Sequence, residues 1–262
     1  MDLLYLTFTK FSGEMDSESN TVVIFNTPNK DDTTWSHHVL RILYCLHYKG
    51  IPYSIENIQY PDIIPTFAQT TLKPKDDPLE PYEIPVLKVR TASGATQYYM
   101  EPPNIIQALE KMKPEPSLLA TSPRSVEFKS YLGPAVRPII QTTAGRVLGI
   151  LPERSIERFV YQRRARWGIS VEQWVEEHPS LEALTIAEPR LKELGEWIET
   201  TPGPFVNGDK PGYADFTLVS ILEFVRAVGL TDVFEAVLGI HPAIKRLHDA
   251  VGQTQQGNSQ WR

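Results

Sequence analysis

Between residues 21 and 60 the hydrophobic pattern changes period twice, and few folds accept that order. Val22, Val23, Ile24 and Phe25 form a β-branched and aromatic run suited to a buried strand, and the loop over residues 26–34 is dense in Asn, Asp, Thr and Pro. Val39, Ile42, Leu43 and Leu46 then recur at helical spacing, and Gly50 followed by Pro52 ends the helix. A second strand follows over residues 53–58. In the run Trp35-Ser36-His37-His38, Ser36 therefore stands where the helix begins.

A serine hydroxyl at that place has two uses. It can cap, accepting a bond from an N–H of the first turn, a contribution of about 1 kcal/mol. It can instead donate its O–H to a bound anion such as a thiolate, helped by the partial positive charge of the helix terminus. A free thiol of pKa about 8.5 is pulled down in such a setting. The local pattern leaves both open, with capping the commoner use.

Prolines crowd residues 61–81, which read as loop with one helical turn. A strand over residues 82–89 carries Pro85 near its start, where a ladder N–H can be spared. Gly94 turns the chain into a partner strand over residues 96–100, and Pro102 and Pro103 open a helix over residues 104–112. Pro and Ser return over residues 113–123, the expected domain boundary. Beyond it the pattern is helical, over residues 126–151 (kinked or split by Pro134 and Pro138), 153–167, 181–199, 214–228 and 242–250. The expected architecture is a small mixed α/β domain followed by an all-helical one. The first twenty residues read as an extension, in which Leu4, Leu6 and Phe8 alternate with polar positions ahead of a turn-rich stretch.

The net charge of -6 and pI near 5.6 argue against nucleic acid as a partner and favour a small molecule or another protein. A lone Cys45 cannot form an intrachain disulfide, and Asp2 precedes too short an apolar patch for a signal peptide or membrane span. A cytoplasmic protein is the expectation, with no membrane association. His37 and His38 lack a second ligand at metal-binding spacing, so no metal is expected. They are either proton donors or solvated first-turn residues.

The order strand, helix, strand, loop, strand opening on Ile84-Pro85, hairpin, helix resembles the thioredoxin-like domain of the glutathione S-transferases, and the helical second half is similar to theirs. The run from Trp35 to Tyr53 resembles an etherase-related fungal group in that superfamily. Arg41 matches that group's basic residue, while His37 and His38 replace its usual Pro and Asn. The runs at 150–155, 163–168 and 208–216 are similar to it as well. The resemblance implies an extension at 1–20, a thioredoxin-like glutathione-binding domain at 21–112, a linker at 113–122 and an all-helical substrate domain at 123–262.

Carried over residue by residue, the resemblance makes Ser36 the donor to the glutathione sulfur, and therefore the catalytic residue. It also implies a cis Ile84–Pro85 bond whose Ile84 backbone pairs with the cysteinyl part of the peptide, and it gives Glu101 the γ-glutamyl amine. The family usually has Ser after that acid, and Pro102 offers neither a hydroxyl nor an N–H. Two charge-assisted bonds at about 1.5–3 kcal/mol each would go, weakening binding about a hundredfold or more unless His38, Lys73 or Lys75 substitutes.

Trp35, Phe128, Tyr131 and Gln141 are expected to line the pocket for the reaction partner, although a core or dimer role suits the last three equally. Gly212 with Asp215 resembles the superfamily's capping box, a folding motif. The arginines at 163, 164 and 166 read most simply as a solvated or interface face, with an anion-binding role as the less favoured alternative. The expected protein is a homodimeric glutathione-dependent enzyme acting on an unsaturated electrophile, by double-bond isomerisation or conjugation. A non-catalytic binding or scaffold protein on the same fold is the rival.

Overall fold

The computed structural model describes residues 20–256; the strand pattern expected at Leu4, Leu6 and Phe8 lies outside them. Strands β1 (Thr21–Asn26), β2 (Ser54–Asn57), β3 (Val86–Arg90) and β4 (Thr96–Met100) form one sheet in the order β2-β1-β3-β4. β2 runs parallel to β1, whereas β3 is antiparallel to both β1 and β4. Helix α1 (His37–Lys49) crosses from β1 to β2 and buries Val39, Ile42, Leu43 and Leu46, the positions its spacing marks. Its end is set by Gly50 at φ 56, with Ile51 N–H donating to Leu46 O at 3.0 Å, a backbone arrangement that glycine adopts at little cost.

A 3-10 turn at Tyr60–Asp62 and the short α2 (Ile63–Phe67) occupy the proline-rich stretch. α3 (Pro102–Met112) then packs beside α1. β3 begins at Val86, so Pro85 lies just outside the ladder and removes no hydrogen bond from it. The loop to the helical half is tied down by a group the sequence did not single out. Lys49 has a fully buried side chain whose ammonium donates to Lys113 O (2.6 Å) and Pro116 O (2.9 Å), and it stands 3.3 Å from Glu110. The linker stretch is thus held by α1 itself.

The second half is helical throughout its described residues: α4 (Pro123–Gln141), α5 (Ala144–Ile150), α6 (Glu153–Trp167), α7 (Val171–Glu177), α8 (Ser180–Glu199), α9 (Tyr213–Ala227), α10 (Thr231–Ile240) and α11 (Pro242–Gln256). α4 lies along α8, and α9 packs on α1, joining the two halves in one apolar core. This is a thioredoxin-like domain followed by an all-helical one.

The break expected at Pro134 or Pro138 falls elsewhere. α4 continues through both prolines to Gln141, and the hydroxyls of Thr142 and Thr143 close it by donating to Ile139 O (2.8 Å) and Ile140 O (2.7 Å). Side-chain donors take the last carbonyls, and the chain turns there into α5. α7 and α10 are additions to the expected series. None of the described helices is long and apolar enough to cross a membrane.

Candidate functional site

The sheet register collects the candidate residues at one end. Phe25 stands opposite Val86, and Val86 opposite Met100. The loop leaving β1 toward Ser36, the Ile84–Pro85 step entering β3 and Glu101 leaving β4 are therefore neighbours. The Ile84–Pro85 bond is cis, Pro85 is buried and Ile84 half-buried.

Asn29 shapes the loop that delivers Ser36. Its Oδ1 accepts from Asp31 N (3.0 Å) and Thr33 N (2.8 Å), and the neighbouring Lys30 N donates to Ile150 O (2.8 Å) at the end of α5. Ser36 is the N-cap residue of α1 by its backbone, at φ -69 and ψ 123, and its carbonyl accepts from Val39 N and Leu40 N. Its hydroxyl makes no cap bond. The half-buried side chain is thus uncommitted at the positive end of a helix.

Glu101 is exposed and sits at φ 66, ψ 135, a region that costs a non-glycine residue about 1–3 kcal/mol and is found mostly where function fixes the backbone. Asn104 Nδ2 supports the turn by donating to Met100 O at 3.1 Å. Pro102 occupies the first position of α3. Glu101 and Asn104 line an open groove of about 1000 Å³ together with Lys73 and Lys75. Lys75 is committed to Glu83 at 2.6 Å, which leaves Lys73 and Lys111, both exposed, as the further cations lining the groove with Glu101.

The histidines differ from a solvated first turn. His37 is half-buried, its ring 3.9 Å from that of His38 and 5.0 Å from that of Phe224. Burial, then the charges expected on His38 and Arg41, hold its pKa well below the usual imidazole range. His38 keeps an exposed edge, yet the protein packed around the ring and the guanidiniums of Arg41 and Arg163 hold it low as well. Arg41 Nη2 donates to His38 Nδ1, which leaves the proton of the neutral ring on Nε2.

This arrangement predicts acid lability. The unfolded chain binds a proton at His37 as pH falls through about 6.5 while the native state refuses it, so stability is lost as pH drops below that value. The urea midpoint should fall between about pH 7.5 and about pH 5.5, and by less in His37→Phe. Equal pH dependence in the two proteins would sink this account.

Other expected residues lie elsewhere. Trp35, expected in the substrate pocket, is 5% exposed and packs in the core against Phe224, with its Nε1 unpartnered. Phe128, expected there too, is 1% exposed, and its ring meets Trp197 on α8; Tyr131 is half-buried, stacks on Trp197 and lines a small cavity of about 220 Å³ with Ser130, Pro134, Arg190 and Glu193. Gln141 is half-buried at the end of α4, its carbonyl accepting from Trp174 Nε1 at 2.9 Å. Cys45 is wholly buried, and burial pushes its thiol pKa far up. Arg166, expected to be solvated or interfacial, is paired with Asp77 (2.8 Å) and Glu80 (2.5 Å). Arg163 turns instead toward Phe159, its guanidinium 4.8 Å from the ring centre, and its charge bears on Tyr60 and His38. No local sequence signal marks it out from its neighbours Arg164 and Arg166.

Comparison with known proteins gives a consistent picture. Residues 126–242 match the glutathione S-transferase C-terminal domain family. The chain is 28% identical over 219 residues to the glutathione S-transferase-like protein ustS of Aspergillus flavus, covering 77% of this chain and 78% of that one. A glutathione S-transferase of Ceriporiopsis subvermispora, solved in complex with glutathione, superposes with a TM-score of 0.74 at 22% identity, over 89% of this chain and 97% of that one. Glutathione transferase GSTFuA2 of Phanerochaete chrysosporium gives 0.75 at 20% identity, over 90% and 98%. Maleylacetoacetate isomerase of Anaeromyxobacter dehalogenans, with bound glutathione, gives 0.52 at 20% identity, over 89% and 91%.

Proposed function

Because this chain belongs to the glutathione S-transferase superfamily, we propose that it binds glutathione at the sheet end shared by Ser36, Ile84-Pro85 and Glu101 and activates its thiol. The observation that carries the reading is the Ser36 hydroxyl, which stands at the start of α1 and makes no cap bond. It is free to donate to a thiolate, acting as an electrostatic partner and neither as nucleophile nor as base. The Ile84 backbone pairs with the cysteinyl unit, Glu101 receives the γ-glutamyl amine, and Lys73 in the same groove takes the γ-glutamyl carboxylate that Pro102 cannot. His38 lies beside the sulfur with Nε2–H as donor. Two chains assemble as a homodimer.

The reaction we assign is trans/cis isomerisation of a conjugated double bond in a small secondary metabolite. The thiolate adds to the β-carbon, and the displaced π pair moves onto the conjugated carbonyl oxygen as an enolate. The former double bond is then single and rotates. Collapse of the enolate expels the thiolate and restores the double bond in the other geometry, so glutathione is returned and no co-reactant is consumed. The reading draws support from the isomerases among the proteins of similar fold. Conjugation is the alternative outcome of the same first step, in which the enolate is protonated and the adduct leaves.

The test is a conjugated polyenone supplied in large excess over glutathione. Isomerisation predicts many turnovers, a product of unchanged mass and glutathione recovered intact. Consumption of one glutathione per product would assign the protein as a transferase.

A further inference from the structure

Between the end of α2 and the start of β3 the chain forms no regular element, yet residues 71–75 of that stretch line the groove with Glu101, and its end delivers the Ile84-Pro85 step. No ladder holds such a segment, and every residue fixed in it gives up conformational entropy. A closed turn does the fixing. Lys75 N donates to Pro81 O at 2.8 Å, Lys75 Nζ meets Glu83 at 2.6 Å, and Asp77 Oδ1 accepts from Leu79 N (3.0 Å) and Glu80 N (3.2 Å). Glu83 N in turn donates to Met100 Sδ at 3.2 Å, which joins the turn to β4.

This turn is gripped from the other half of the molecule. Arg166 on α6 pairs with Asp77 at 2.8 Å and with Glu80 at 2.5 Å. Arg158, about two turns earlier on the same helix, donates to Leu79 O at 2.8 Å. Two arginines thus take both carboxylates and a carbonyl of one turn. Arg154, also on α6, pairs in the same way with Asp62, but on the separate Tyr60–Asp62 turn. Partly exposed pairs of this kind add little to global stability. Gathered on an irregular segment beside the groove, they set its conformation before a ligand arrives, so that binding does not have to order it.

We propose that Arg166 and Arg158 are positioning residues of the glutathione site, acting from the helical half through the turn at 75–81 to hold Lys73 and Ile84-Pro85 in place for the peptide. The proposal rests on the glutathione-dependent reading above, and it makes a helix of the second half a determinant of glutathione affinity.

Calorimetric titration with S-methylglutathione tests it, with thermal unfolding to verify that each variant is folded. Arg166→Gln should bind about three- to tenfold more weakly than the wild type. Asp77→Asn keeps the acceptor for Leu79 N and Glu80 N and should lose part of that, and the double variant should be no weaker than Arg166→Gln alone. Arg158→Gln should weaken binding in the same direction, and it serves if Arg166→Gln does not fold. Arg154→Gln is the control and should bind as the wild type does. Backbone hydrogen exchange should quicken over residues 71–83 in Arg166→Gln and stay unchanged in β1 and α9. The thiol pKa of bound glutathione should keep its wild-type value, because Ser36 is untouched. Unchanged affinity in Arg166→Gln and Arg158→Gln, or an equal loss in Arg154→Gln, overturns the proposal and leaves the glutathione reading intact. So does tighter binding by Asp77→Asn, the sign expected if these charges act on the anionic peptide from a distance and not through the turn. A wild type that binds no S-methylglutathione at millimolar concentration removes both readings.

Discussion

Replacing Asp215 by alanine is expected to destabilise the protein by about 2–6 kcal/mol, the loss of two buried acceptors at about 1–3 kcal/mol each. Asp215 is completely buried on the first turn of α9; Oδ1 accepts from Val206 N at 2.7 Å and Oδ2 from Gly212 N at 2.8 Å. Alanine strands both N–H groups away from water. Asparagine keeps one acceptor and turns an amide N–H₂ toward the other donor, so about half the loss should persist. Urea denaturation of the wild type, Asp215→Asn and Asp215→Ala should give midpoints in that order. Since domains are stable by only about 5–15 kcal/mol, the alanine variant should be poorly populated at physiological temperature. A loss below about 0.5 kcal/mol, the size typical of a surface substitution, would show that the two N–H groups find other acceptors.

Asp215 was legible because a capping box is local, its partners three residues apart in sequence. The same holds for β1 and α1, where the period of burial states the backbone's options, whereas the cis bond at Ile84-Pro85 was expected from the family resemblance and not from the proline alone. α10 carries Val233, Phe234, Val237 and Leu238 at helical spacing, so it was readable as well, although the helices expected from the sequence pass over it. α7 is short, with Val171 as its buried apolar residue, too little for periodicity to register.

What the sequence could not display depends on which helices touch. Phe128 and Tyr131 carry the side chains a binding pocket would use, and only the packing of α4 on α8 turns them toward Trp197. Arg163, Arg164 and Arg166 read alike along the chain. The lie of α6 across the Tyr60 turn lays one over Phe159, leaves one exposed and pairs the third with Asp77 and Glu80. Lys49 looks like an ordinary basic residue at a helix end, yet it is the cation that gathers the linker carbonyls.

Ser36→Ala should raise the pKa of bound glutathione's thiol by about one to two units, because one donor to an anion is worth about 1.5–3 kcal/mol and a pKa unit is about 1.4 kcal/mol. At neutral pH the thiolate fraction, and with it the rate of the chemical step, should fall about ten- to a hundredfold. The peptide contacts proposed at Ile84, Glu101 and Lys73 do not involve the hydroxyl, so the affinity for S-methylglutathione, which has no ionisable thiol, should barely change. Protein stability is the complementary readout. If Ser36 were a conventional cap, alanine would cost about 1 kcal/mol; with no cap bond to lose, the urea midpoint should stay where it is. Ultraviolet titration of the bound thiolate in both proteins, beside their unfolding curves, separates the roles. An unchanged thiol pKa with lost stability returns Ser36 to the cap, and a wild type that binds no glutathione at millimolar concentration leaves a non-catalytic protein on this fold. A raised pKa at constant stability is the signature of a hydroxyl that serves the sulfur, and it would explain why this helix begins with a serine that caps nothing.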